Sequence, residues 1–186
     1  LSANFGEVVL FTVAVLAGLG VPMTVVQILV VNLLTDGLPA VALTLDPASP
    51  RVLERGPRRA TSLFTGGGWA ALAGIGALVG LAATVAYLVG REASAETGQT
   101  MAFATVALAE LVLVWSIRSS IAPAWRGERN RVLAASVAVS AAIVAAVVYV
   151  PALAELTGTV ALAADELALV LVLSAIPAAA IEAAKA

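Results

Sequence analysis

Three carboxylates lie in stretches of the chain that are otherwise apolar enough to cross a bilayer. They belong to Glu7, Asp36 and Glu110, and no Lys or Arg stands beside any of them in the sequence. A lone carboxylate in hydrocarbon is costly, and it is therefore a functional-site hypothesis by default. Since no basic residue at the same depth supplies a counter-charge, the simplest counter-charge is a cation that binds and leaves.

Other oxygen-bearing side chains accompany two of these carboxylates. Asn4 and Glu7 are three residues apart, and Asn32, Thr35 and Asp36 have i, i+3, i+4 spacing, so each set lies on one helical face. Carboxylate, amide and hydroxyl oxygens suit a hard cation, and Ca²⁺ takes six to eight of them. The candidate metal ligands are therefore Asn4, Glu7, Asn32, Thr35, Asp36 and Glu110.

These residues also have structural interpretations that the sequence leaves open. Asn32 and Thr35 could serve only to hydrogen-bond between helices. Glu110 could be protonated and bonded to a neighbouring helix, and Glu7 could lie near a water-exposed helix end. Asp36 could be the N-cap at a plain turn between two short helices.

The composition is that of an integral membrane protein. Of 186 residues, 61% are hydrophobic and 12% charged, whereas a soluble domain is about half apolar and about a quarter charged. The net charge of −2, without a basic run, indicates no nucleic-acid partner. The absence of Cys and His excludes disulfides, Cys/His zinc sites and thiol or imidazole catalysis, so only oxygen ligands remain for a metal.

Uncharged stretches predict an all-α membrane bundle of six transmembrane helices, each close to the ~20 residues that a bilayer requires. Their approximate bounds are residues 1–19, 23–43, 67–89, 99–117, 132–150 and 164–181. We expect the second helix to be interrupted near Gly37–Pro39, because Pro39 lacks an N–H and clashes with the carbonyl of Thr35. Freed carbonyls at membrane depth are tolerated where they line a cavity or an ion site.

The charges between the spans predict the orientation of the bundle. Six alternating helices leave only Arg91 on one side and place nine basic residues on the other: Arg51, Arg55, Arg58, Arg59, Arg118, Arg126, Arg129, Arg131 and Lys185. The positive-inside rule makes the second side, and with it the C-terminus, cytoplasmic. The chain begins within its first span with neither Met nor a charged signal start, so we expect a fragment of a longer protein.

Residue counts place the three carboxylates at similar depth. Glu7 lies 14 residues before the turn centred near Val21, and Asp36 lies 15 residues after it. At about 1.5 Å per residue, both are roughly 21 Å from that turn. Glu110 follows the loop at residues 92–98 by about a dozen residues, on the same membrane face. The counts thus predict one site formed by three helices.

Two segments carry a specific family resemblance. The residues SANFGE at 2–7 and QILVVNLLTDGLPA at 27–40 resemble the fifth and sixth transmembrane helices of P-type cation-transporting ATPases. Residues 57–59 are similar to the loop after the sixth helix, 101–110 to the eighth helix, and 174–177 to the tenth. The resemblance covers the whole chain and is nearest to calcium pumps of the sarco/endoplasmic reticulum class and their bacterial relatives.

This resemblance implies roles for the candidate ligands. One calcium site would comprise Asn4, Glu7, Thr35, Asp36 and Glu110. A second would use Asn32 and Asp36, together with residues of the fourth helix, which this chain does not contain. The transported ion is expected to be Ca²⁺, although Mn²⁺ accepts the same oxygen set.

The resemblance also implies what lies outside these residues. ATP, Mg²⁺ and the phosphorylated aspartate belong to cytoplasmic domains that the chain lacks, so we expect the full-length parent to be a P-type ATPase, whereas this chain alone contains no catalytic aspartate. Its expected partners are the lipid bilayer, the earlier helices and the cytoplasmic domains of the same pump, in a multi-pass protein of a bacterial plasma membrane. We expect Ca²⁺ export with H⁺ countertransport, because emptied carboxylates in a dehydrated site favour their neutral form. A stand-alone secondary transporter or channel, or a structural membrane subunit, remain alternatives.

Overall fold

The computed structural model describes residues 2–45, 66–117 and 130–185, and all regular structure within these ranges is helical. The elements in chain order are α1 (Ser2–Leu16), α2 (Val25–Val31), a π-helical segment (Asn32–Gly37), α3 (Leu38–Thr44), α4 (Gly66–Gly90), α5 (Ala95–Ile117), α6 (Arg131–Tyr149), α7 (Pro151–Thr157) and α8 (Ala164–Lys185).

The described helices include five stretches that are long and apolar enough to cross a membrane. These are Val25–Thr44, which runs from α2 through α3, and the helices α4, α5, α6 and α8. A shorter apolar helix, Asn4–Leu16, lies within α1. The prediction of an all-α membrane bundle is confirmed.

Side-chain caps explain where two of the spans begin. Thr24 and Gln27 form a capping box at the start of α2: the Gln27 N–H donates to Thr24 Oγ1 at 3.2 Å, and the Thr24 N–H donates to Gln27 Oε1 at 3.0 Å. Before α5, the Thr97 N–H donates to Ser94 Oγ at 3.0 Å. This bond starts the helix at Ala95, earlier than the expected residue 99.

The short helix α7 was not predicted from the sequence. It has only 7 residues, begins with Pro151 and ends before Gly158, which has a φ of 69°. Proline in the first turn and glycine after the last residue are typical helix boundary signals. They could have revealed α7, but a helix this short lies below the length at which a span is recognised.

Helix α5 lies at the centre of the bundle, where Phe103 and most other side chains along it are buried. It packs against α4 and α8, and α4 in turn packs against α1. The α1–α4 contact is close because it is made by glycines: a Cβ added to Gly80 would lie 2.5 Å from the carbonyl oxygen of Gly6, and one added to Gly76 would clash with the carbonyl of Ser2. Gly76 and Gly80 are four residues apart, a GxxxG spacing typical of closely packed helices.

The second span is interrupted, as expected, near Gly37–Pro39. The interruption is a π-helical segment, and the chain remains helical from Val25 to Thr44. Gly37 has right-handed helical angles, with φ −71° and ψ −70°. The alternative of a plain turn between two short helices is therefore wrong.

The ends of the helices divide into two groups. At one end, Tyr87 Oη donates to the Leu19 carbonyl at 2.8 Å, and Gln99 Nε2 donates to the Val21 carbonyl at 2.9 Å, so the α1–α2 turn lies beside the α4–α5 turn. At the other end, Lys185 Nζ donates to the Ser116 carbonyl, which joins the last turns of α5 and α8. The predicted basic loops, at residues 46–62 and 118–131, lie largely outside the described residues.

Candidate cation site

Glu7 of α1 and Asn32 at the start of the π-helical segment are in contact. The Asn32 amide nitrogen Nδ2 lies 3.3 Å from Glu7 Oε1 and 3.4 Å from Glu7 Oε2. The same nitrogen donates to the Ile28 carbonyl at 3.0 Å. Both side chains are half-buried. The two spans thus run antiparallel with Glu7 beside Asn32, one helical turn from Asp36.

This contact agrees with the structural interpretation of Asn32 as an interhelical hydrogen-bonding residue. It does not conflict with metal binding, because the two roles use different atoms. The amide nitrogen is a donor and binds the carboxylate of Glu7, whereas a cation binds the amide oxygen. Asn32 is therefore able to orient one ligand while it provides another.

The π-helical segment, Asn32–Gly37, contains two of the predicted ligands. They are Thr35 and Asp36, whose side chains lie outside the described part of the structure. A π-helical turn is wider than an α-helical one and is frequent at functional sites. It also changes which carbonyl would pair with the backbone of residue 39. In the i→i+5 pattern this is the carbonyl of Leu34, whereas the α-helical pattern predicted the carbonyl of Thr35.

Glu110 lies in the central helix, and its side chain is only 6% exposed. Helix α5 packs against α1, against α2 and against the π-helical segment. The three elements that carry the predicted carboxylates are therefore neighbours. A carboxylate this deep in a bundle requires a compensating interaction, and both Glu110 and Glu7 have one in the structure.

The remaining candidate, Asn4, is exposed and lines a cavity of about 370 Å³ between α1 and α4. The other residues of this cavity are apolar or aromatic: Phe5, Val8, Trp69, Leu72 and Ala73. Among the described side chains, no three Asp or Glu residues are grouped as a metal site would require. The structure thus brings Glu7 and Asn32 together and places the helix of Glu110 beside them.

Helix α6 and its N-cap residue Asn130 make two contacts with the site-bearing span that were not predicted. Ser140 Oγ donates to the Leu34 carbonyl at 2.8 Å, and Asn130 Nδ2 donates to the Ala42 carbonyl at 3.3 Å. Both side chains are buried. Small polar residues within an apolar span are the signal that could have indicated such interhelical contacts.

The start of α2 is held by the connection between α7 and α8. Thr24 Oγ1 donates to the Thr157 carbonyl at 3.1 Å, and Gln27 Nε2 lies 3.5 Å from the Gly158 carbonyl oxygen. Gln27 is fully buried. These contacts fix where the span begins and therefore the height at which its later residues, including Asn32, meet α1.

Comparison with known proteins shows similarity to cation-transporting ATPases. The family model described as "Cation transporting ATPase, C-terminus" matches residues 20–186. A calcium-transporting ATPase of Bacillus subtilis is 36% identical over 183 residues, which are 95% of this chain and 20% of that protein. Calcium-transporting ATPase 1 of Bacillus cereus is 30% identical over 197 residues, an alignment that covers 95% of this chain and 22% of that protein.

A shorter similarity involves a protein named for another ion. The P-type sodium-transporting ATPase4 of Plasmodium falciparum is 41% identical over 58 residues, which are 31% of this chain and 5% of that protein. The chain spans about a fifth of the length of the two Bacillus relatives, at 20% and 22%.

Proposed function

Because the chain belongs to the family of cation-transporting ATPase C-terminal domains, we propose that it is the cation-binding membrane domain of an ATP-driven calcium pump. The observation that carries this proposal is the pairing of Glu7 with Asn32 at the start of the π-helical segment. It brings a carboxylate from one span beside an irregular stretch of another span, as an ion site within a membrane requires.

Calcium is the ion that we propose, on two grounds. Carboxylate, amide and hydroxyl oxygens are ligands that Ca²⁺ prefers, and several negative charges favour a divalent over a monovalent cation. The similarity to the two Bacillus proteins named for calcium also covers 95% of this chain, whereas the similarity to the protein of Plasmodium falciparum named for sodium covers 31%. Mn²⁺ accepts the same ligands and is the first competitor to be tested.

The proposed metal ligands are Asn4, Glu7, Asn32, Thr35, Asp36 and Glu110. After Ca²⁺ leaves, carboxylates in a dehydrated site favour their neutral form. We therefore propose that protons return in exchange for calcium. ATP and Mg²⁺ act in the other domains of the pump, where an aspartate is phosphorylated.

The test is calcium-dependent formation of the acyl-phosphate in the full-length protein that carries this chain. We expect Ca²⁺ to support it, and Mn²⁺ to compete, but Na⁺ not to replace them. Asp36→Asn should abolish the calcium dependence. Asp165→Asn, which alters an exposed carboxylate in the first turn of α8, is the matched control and should behave like the wild type. A calcium response retained by Asp36→Asn would contradict the proposed site.

A further inference from the structure

The carbonyl oxygen of Leu34 lies inside the π-helical segment, and a side chain of another helix donates a hydrogen bond to it. The donor is Ser140 of α6, whose Oγ lies 2.8 Å away. Ser140 is fully buried, and the two residues are 106 positions apart in the sequence. The bond therefore joins α6 directly to the segment that contains Thr35 and Asp36.

The local backbone explains why this carbonyl requires an outside donor. In a π-helix the carbonyl of residue i pairs with the N–H of residue i+5. For Leu34 that residue is Pro39, which has no N–H. A buried carbonyl without a donor costs free energy comparable to a lost hydrogen bond, so a hydroxyl from a neighbouring helix stabilises the π-helical register.

Ser140 differs from comparable serines of the bundle. Ser136, one turn earlier in α6, donates to the Leu133 carbonyl at 2.8 Å, and Ser174 of α8 donates to the Leu171 carbonyl at 2.9 Å. Such bonds to the preceding turn are the usual choice of a serine within a helix. Ser140 instead binds the backbone of a different helix, which indicates a role beyond satisfying its own hydroxyl.

We propose that Ser140 is a positioning residue for cation binding. Its hydroxyl fixes the π-helical register and so sets the position of the ligands on either side of Leu34. A second contact from α6, between Asn130 and the Ala42 carbonyl, holds α3 after Pro39. Helix α6 supplies no ligand in this arrangement but determines the geometry of the span that does. This inference rests on the proposed function.

The experiment measures calcium-dependent acyl-phosphate formation in the full-length protein. Ser140→Ala removes the donor, and we expect the calcium concentration for half-maximal phosphorylation to rise about tenfold while the maximal level is unchanged. Ser136→Ala, the matched control, should retain the wild-type concentration. Equal behaviour of the two variants would overturn the inference, as would a lower maximal level at unchanged calcium affinity.

A double-mutant cycle tests the physical cause. Pro39→Ala restores an N–H five residues after Leu34, so the Leu34 carbonyl regains a backbone donor. In that background, Ser140→Ala should cause little further loss of calcium affinity. Additive effects of the two changes would contradict the proposed link. If Ser140→Ala does not accumulate, Ser140→Cys keeps a similar volume with a weaker donor, and a wild-type calcium affinity in that variant would also overturn the inference.

Thermal unfolding of the same variants separates this inference from the proposed function. Absence of any calcium dependence in the wild type would contradict the calcium pump itself. Ser140 and Pro39 should be coupled in thermal unfolding as well, whatever the transported ion. If Ser140 and Pro39 are coupled in unfolding but Ser140→Ala leaves calcium affinity unaltered, the positioning role alone would be overturned. If the two residues are coupled in neither measurement, the hydrogen-bond argument would be overturned.

Discussion

The Asn32 amide nitrogen lies within 3.3 and 3.4 Å of the two carboxylate oxygens of Glu7 and thereby joins α1 to the π-helical segment. An amide that spans both oxygens restricts rotation of the carboxylate. It also stabilises the negative charge of the half-buried carboxylate. We therefore expect this contact to orient the pair for the proposed cation, so that each residue depends on the other.

We predict that Asn32 and Glu7 are energetically coupled in calcium binding. Asn32→Ala should weaken calcium affinity about tenfold or more, because a hydrogen bond to a charged group contributes about 1.5–3 kcal/mol. Glu7→Gln should weaken it further through loss of charge. The double variant should lose less than the two single losses combined, as measured by the calcium dependence of acyl-phosphate formation.

The control for this cycle is Gln99→Ala. The Gln99 amide also donates across helices, but to the Val21 carbonyl at the α1–α2 turn, away from the site. The Gln99→Ala substitution should leave calcium affinity unchanged. Strictly additive losses at Asn32 and Glu7 would show that the contact between them has no role in binding.

We predict that Gly80 is required for the close packing of α1 on α4. A methyl group at this position would meet the Gly6 carbonyl at 2.5 Å and Val9 Cβ at 2.7 Å. Because the first of these is backbone, the helices must move apart, and overpacking of this kind costs about 1–3 kcal/mol. Gly80→Ala should therefore lower the free energy of unfolding in detergent by about that amount.

Gly74 provides a matched control on the same helix. A Cβ there would have no heavy atom within 4 Å, and alanine has the higher helix propensity. Gly74→Ala should be neutral or slightly stabilising in the same denaturation experiment. Similar losses at Gly74 and Gly80 would mean that helix propensity, rather than the α1–α4 contact, decides the effect.

The sequence predicted the fold class because hydrophobic length and proline position are local properties. Uncharged stretches of about 20 residues can only be spans in a chain this apolar, and Pro39 located the irregular part of the second span. Counting residues in an antiparallel pair predicted Glu7 and Asp36 at one level, since the rise per helical residue is constant. The structure shows Glu7 in contact with Asn32, which precedes Asp36 by four positions.

The tertiary details could not be obtained in this way. Which carbonyl loses its donor near Pro39 depends on whether the turn is α- or π-helical, and only the structure identifies Leu34. The contribution of Ser140 depends on how α6 packs against a span 106 residues earlier. A short stretch of sequence therefore predicts neither the identity of this carbonyl nor the contact made by Ser140.

We predict that the Thr24 hydroxyl stabilises the start of α2 and its attachment to α7. It accepts from the Gln27 N–H at 3.2 Å and donates to the Thr157 carbonyl at 3.1 Å. Thr24→Val keeps the shape of the side chain but removes both bonds, and loss of such a cap costs about 1–2 kcal/mol. The free energy of unfolding in detergent should fall by about this amount.

Thr44→Val is the corresponding control, because the Thr44 hydroxyl is exposed and donates to the Val41 carbonyl of its own helix, at 2.7 Å. Its effect on unfolding should be small. If both variants lose the same stability, loss of a threonine hydroxyl in general would explain the result, and the contact with Thr157 would have no separate contribution.

We predict that both basic loops and the C-terminus face the cytoplasm. Lys185 binds the Ser116 carbonyl and Asn130 binds the Ala42 carbonyl, so the ends of α3, α5 and α8 and the start of α6 lie at one end of the bundle. We therefore expect the segments that follow α3 and α5, and the C-terminus, to share one membrane side. The excess of Arg in these segments predicts that this side is cytoplasmic.

Single cysteines test this orientation directly, because the chain has no native Cys. Ala93→Cys lies in the exposed turn between α4 and α5, and Ser119→Cys lies in the second basic loop. A membrane-impermeant maleimide should label Ala93→Cys in intact cells, but Ser119→Cys only after the cells are permeabilised. The reverse pattern would contradict the predicted orientation of the bundle.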